Sequence, residues 1–163
     1  MCVRKLVAPL ALALAAVTFG FVGAASAAGD PAVAEARLGA ARGDLEAGLA
    51  AMRGRDWALA RVYLQRAVDR DPQDPDALAA MGETLLRLGD TDGAFLYAEA
   101  AVTVEPENRR AIATLGELAL VAGNVAEARR RADQLAKLCP QGCAERSRLE
   151  AAIAGQVAGQ GGS

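Results

Sequence analysis

The chain has 163 residues with 18 Lys and Arg, 20 Asp and Glu and no His, for a net charge of −2. Without the concentrated positive field that phosphate backbones demand, nucleic acid is excluded as a partner. The absence of histidine removes the commonest general base and the commonest metal ligand, so neither an enzyme nor a metal or cofactor site is expected.

Residues 1–27, "MCVRKLVAPLALALAAVTFGFVGAASA", place Arg4 and Lys5 before an apolar run from Leu6 to Val22 and end in Ala25-Ser26-Ala27. That is the order of a secretory leader, with cleavage expected before Ala28. Retention as an anchor is the rival reading, since about 20 apolar residues can span a bilayer. Pro9, Gly20 and the small-residue site favour cleavage, and Cys2, ahead of the apolar run, leaves with the leader. The mature chain is expected to reach a bacterial periplasm, without membrane contact once the leader is gone.

Asp30-Pro31 reads as an N-cap and a first-turn residue, so "PAVAEARLGAARG" starts a helix that runs into the first repeat. Three segments then align, "DLEAGLAAMRGRDWALARVYLQRAVDRDP", "LAAMGETLLRLGDTDGAFLYAEAAVTVEP" and "IATLGELALVAGNVAEARRRADQLAKLCP", each starting 34 residues after the last. Gly48, Gly82 and Gly116 fall in register, as do Ala60, Ala94 and Ala128, and Pro72, Pro106 and Pro140. In each copy an apolar-periodic helix A carries the Gly. A polar break (Arg55-Asp56, Gly89-Asp90, Gly123-Asn124) caps helix B, which carries the Ala and stops before the Pro. Gly on A and Ala on B let the two backbones cross closely. No strand pattern occurs, so the fold class is all-α.

Cys139 and Cys143 flank a Pro-Gln-Gly turn. A metal would need two further ligands, and a redox pair favours a Cys-x-x-Cys spacing. In an exported chain the preferred reading is a local disulfide staple, with a redox-active pair and free or intermolecular thiols as alternatives. Beyond it, residues 143–156 put Leu149, Ala152 and Ile153 on one stripe and read as a capping helix, and 157–163 as a disordered tail. Arg129-Arg130-Arg131, beside Glu127 and Asp133, reads as a solvated helix face rather than a lipid patch. Trp57, Tyr63, Phe95 and Tyr97 on helix B read as packing between repeats.

These repeats resemble the tetratricopeptide repeat family over residues 41–142, as three units at 41–74, 75–108 and 109–142 within a domain spanning 28–156. Where that family carries aromatics, this chain has Leu64, Ala98 and Ala132 on helix B and Ala51, Leu85 and Ala119 on helix A. The resemblance implies a right-handed superhelical array with a concave groove that binds another protein or peptide. The family's groove positions fall here on Arg42, Leu45, Leu49, Met52 and Arg53, then on Asp76, Ala79, Glu83, Leu86 and Arg87. The third set is Arg110, Ala113, Glu117, Leu120 and Val121. The family's carboxylate clamp would need Lys and Asn at Leu45 and Leu49 and Asn at Ala80. Only Arg110 offers a cation, with Thr114 in place of the second, so chaperone-tail binding is not expected. The expected function is a periplasmic adaptor or scaffold for a protein or peptide of the cell envelope. The alternatives are a thiol–disulfide accessory factor in envelope protein maturation and a structural subunit of an envelope assembly.

Overall fold

The computed structural model describes residues 30–160. The expected leader, 1–27, lies outside the described residues, as does the end of the expected tail, 161–163. The described chain is seven α-helices with no strand: α1 (Pro31–Arg53), α2 (Trp57–Arg70), α3 (Pro75–Leu88), α4 (Thr91–Val104), α5 (Arg109–Val121), α6 (Val125–Leu138) and α7 (Ala144–Gln160). Consecutive pairs form three antiparallel hairpins, and α7 packs on both α5 and α6.

Local chemistry sets the boundaries. Asp56, Asp90 and Asn124 each accept a hydrogen bond from a backbone N–H of the following helix, at 3.0, 2.9 and 3.0 Å, and so cap α2, α4 and α6. Asp30 caps α1 in the same way, with Pro31 in the first turn. Asp74 and Asn108, also 34 residues apart, form a second series that caps α3 and α5. Each satisfies a donor that the first helical turn leaves unpaired. Between helices A and B the chain must turn through the left-handed region. Gly89 (φ 84°) and Gly123 (φ 75°) do so without a Cβ, whereas Arg55, at the equivalent place, holds φ 59°.

The hairpins close tightly at the small residues. Ala60, Ala94 and Ala128 are wholly buried. A Cβ on Gly82 would lie 3.1 Å from both Ala94 O and Ala98 N, so in the central hairpin it is backbone that approaches backbone. In the first hairpin, Leu64 covers Gly48. In the third, the space above Gly116 is taken by Leu149 of α7, whose Cδ2 would lie 2.5 Å from an added Cβ. Small Ala132 leaves room for this, and Leu149, wholly buried, joins Ile112, Leu135 and Ile153 in one cluster. Helix α7 is thus part of the core rather than a cover laid over it.

One boundary differs from the sequence reading, while the start of α1 at Pro31 agrees with it. Helix α7 continues to Gln160, four residues past the expected end at 156. Gly155 and Gly159 lower helix propensity by about 1 kcal/mol each, which does not stop a helix already anchored by packing. At the other end, α1 projects beyond its hairpin: residues 31–40 are exposed, tethered by Arg37 Nη2 donating to Asp69 O at 3.0 Å.

Candidate functional site

Helix A of each hairpin touches helix A of the next, α1 on α3 and α3 on α5, whereas α2 and α4, or α4 and α6, share no such contact. The array therefore curves around the A helices, and their free faces line its inner side. Of the groove residues inferred from the sequence, Arg42 and Arg53 are exposed, and Leu45, Leu49 and Leu86 are half-buried against the core of the first two hairpins.

Six of the expected groove residues are not on an open face: Met52, Ala79 and Ala113 are buried against neighbouring helices, and so are Leu120, Glu83 and Glu117. Leu120 is buried in the cluster shared by α5, α6 and α7, and Gln156 Nε2 donates to its carbonyl at 3.3 Å. Glu83 and Glu117 are buried, at 6% and 8% exposure, beneath a lattice of arginines. Arg110 Nη1 lies 3.2 Å from Glu83 Oε2 and 3.7 Å from Met52 Sδ. Arg87 Nη1 lies 2.8 Å from Glu117 Oε2, and its Nη2 is 3.8 Å from Glu83. Arg148, from α7, reaches both carboxylates: Nη1 pairs with Glu83 and Nε lies 2.7 Å from Glu117 Oε1.

Physical chemistry demands such an arrangement. A carboxylate taken out of water costs several kcal/mol unless cations and hydrogen bonds replace its hydration. Three arginines around two glutamates meet that need and leave one positive charge over. The Glu83–Arg87 and Arg110–Glu117 groups, expected to face a partner, are instead committed to each other and to α7.

What stays open is a cavity of about 300 Å³ beside this lattice, lined by Leu49, Met52, Arg53, Trp57, Glu83, Arg110, Glu145 and Arg148. Leu49, Met52 and Trp57 supply an apolar floor, with Arg53 and Glu145 at the rim. Arg42 lies about 10 Å back along α1 from Leu49 and does not line it. Trp57, Glu145 and Arg148 escaped sequence reasoning because groove positions were sought on helix A alone. Trp57 opens helix B directly beyond α1, and the other two arrive on the capping helix.

The cysteines sit at the far end of the array. Cys139 and Cys143 are joined as a disulfide, with Cα atoms 5.9 Å apart, across the turn from α6 to α7. Cys139 is buried at 7% exposure. The arginine run on α6 is largely answered within its own helix: Arg130 Nε and Arg131 Nε each donate to Glu127 at 2.8 Å. The Arg130 hydrogen bond, helped by Arg131, holds the Glu127 carboxyl below the usual carboxylate range. On helix B, Phe95 is 51% exposed, so it does not pack between repeats as expected, while Tyr97 is half-buried against the core.

Comparison with known proteins agrees with this architecture. Two tetratricopeptide repeat models match, one over residues 10–75 and 45–103 and the other over 85–153. No curated protein sequence matches the chain. Among solved structures, the Arabidopsis OM64 TPR domain is similar with a TM-score of 0.64 at 19% identity, over 72% of this chain and 96% of that one. The second TPR domain of human RPAP3, in complex with an HSP70 peptide, gives 0.59 at 15% identity over 74% and 97%. The Yersinia enterocolitica type III secretion chaperone SycD, in complex with a peptide of the translocator YopD, gives 0.58 at 15% identity over 72% and 89%. Identities this low speak to the fold, and the matched repeats cover most of the chain. The chain belongs to the tetratricopeptide repeat family.

Proposed function

We propose that this protein is a periplasmic adaptor, exported by a cleaved leader, that binds a segment of another cell-envelope protein on its inner face. The observation that carries the reading is the cavity floored by Leu49, Met52 and Trp57, which no side chain among the described residues fills. Apolar floors with charged rims are what extended or helical segments dock into. Two structurally similar repeat domains are seen with peptides, one from HSP70 and one from YopD, which supports a peptide-sized occupant without naming it. The carboxylate-clamp positions hold Leu45, Leu49, Ala80 and Thr114, so a chaperone tail is not the occupant we propose.

The test is a photo-crosslinking amino acid placed at Leu49 or, on the outer face, at Phe95, in protein expressed with its leader. Adducts with an envelope protein from position 49 and not from position 95 are expected. The reverse pattern would move the binding surface to the helix-B side and overturn the reading. The rival role in thiol–disulfide exchange would need a partner to reach a sulfur: Cys139 is buried, which leaves half-buried Cys143 as the point of attack.

A further inference from the structure

The charge left over around this groove identifies the kind of segment it takes. A second cavity of about 230 Å³ adjoins the first, sharing Arg110 and Glu145 with it, and is lined by Asp76, Glu105, Glu107 and Arg109 as well. Arg110 is already committed to Glu83. Glu105 accepts from the Asn108 side-chain amide at 2.8 Å, a neutral partner. Among the described residues, Asp76, Glu107 and Glu145 make no ion pair; in the lining of the second cavity Arg109 is the one cation not otherwise engaged against four carboxylates, while Arg53, at the rim of the first, is a further cation without an ion pair.

Asp76 and Glu145 lie in the first turns of α3 and α7, where the helix dipole favours an acid regardless of any ligand. Glu105 and Glu107 have no such reason, since they sit in the connection from α4 to α5. The groove thus passes from an apolar hollow into an acidic one with a shared wall. We propose that it takes a partner segment in which a bulky apolar side chain, seated against Leu49, Met52 and Trp57, is accompanied by a lysine or arginine seated among Glu105, Glu107 and Glu145. This rests on the adaptor reading and adds the partner's chemistry. A cation there gains charge-assisted hydrogen bonds, whereas an acidic segment meets like charge.

Trp57 is the single tryptophan of the chain and lines the hollow, so its emission reports occupancy directly. Two synthetic peptides serve as probes, one alternating leucine with lysine and one alternating leucine with glutamate, titrated into the exported protein at low ionic strength. The lysine peptide is expected to shift Trp57 emission and to bind at least tenfold more tightly. Glu107→Gln with Glu145→Gln should remove most of that advantage, and Leu49→Asp should abolish the shift. Equal binding, or preference for the glutamate peptide with emission still responding, overturns the charge assignment and leaves the groove reading standing. An advantage that survives Glu107→Gln with Glu145→Gln overturns it too. If neither peptide alters Trp57 emission, the proposal falls together with this hollow as the docking site.

Discussion

Arg148 on α7 pairs with Glu83 on α3, 65 residues earlier in the chain, and bridges from there to Glu117 on α5. The last helix is therefore tied to the middle of the array by charge as well as to its end by Leu149. The arginine side chains remain 30–35% exposed while the glutamates are at 8–9%, so the lattice is half-solvated on one side only.

Removing one arginine should expose that asymmetry. Breaking a buried pair costs about 3–5 kcal/mol, and the partial exposure here reduces the expectation for Arg148→Ala to roughly 1–2 kcal/mol. Arg110→Glu should cost more, because it adds a carboxylate beside Glu83. Arg42→Glu, outside the lattice, should stay within about 0.5 kcal/mol. Urea unfolding of the three variants checks the order, and an Arg148→Ala variant as stable as the parent would show the lattice to be energetically idle.

Arg55 is a site where the protein should improve. It holds φ 59° where the next two repeats place Gly89 and Gly123. A left-handed residue other than Gly costs about 1–2 kcal/mol, offset in part by the greater chain entropy that Gly returns to the unfolded state. Arg55→Gly should stabilise by about 0.5–1 kcal/mol, read as a higher urea midpoint at unchanged slope. Arg55→Val should do the opposite.

Gly116 and Leu149 should be strongly coupled. Leu149→Ala empties a wholly buried site and should cost about 2–5 kcal/mol. Gly116→Ala drives a methyl into the Leu149 side chain and should also destabilise. In the double variant the new methyl occupies part of the vacated space, so its cost should fall short of the sum by more than the usual additivity error of about 0.5 kcal/mol. A double-mutant cycle measures this.

The staple between Cys139 and Cys143 should contribute modestly because it closes a short loop, about 2 kcal/mol on the chain-entropy view. Protein recovered from the periplasm should show no free thiol. Replacing both cysteines with serine should raise hydrogen exchange in α7 first and leave α1–α4 close to the parent.

Export is checked by intact mass. Periplasmic protein should begin at Ala28; a membrane-bound species retaining residues 1–27 would identify the apolar run as an anchor instead.

Much of this protein was legible in its sequence because it is written in local chemistry. Gly82, Ala94 and Pro106 recur at a 34-residue period since each hairpin must solve the same problem of crossing, turning and stopping, and the first two solve it within their own residues. Asp56, Asp90 and Asn124 cap the helices they precede for the same reason. The site was less legible. The face of a helix can be read from spacing, but spacing does not say what will lie opposite it. Glu83 and Glu117 read equally well as open groove residues or as buried counter-charges until α7 brings Arg148 across them. Leu120 has the pattern of a groove residue and becomes core because α7 lies over it. Trp57 packs on the core as its position predicts and is also the wall of a cavity because α1 ends beside it. The sequence by itself determined the repeats, their caps and their turns, which depend on neighbours a few residues away. The tertiary structure alone decided which charges were neutralised and which stayed free, because that depends on what a helix 65 residues distant places against them.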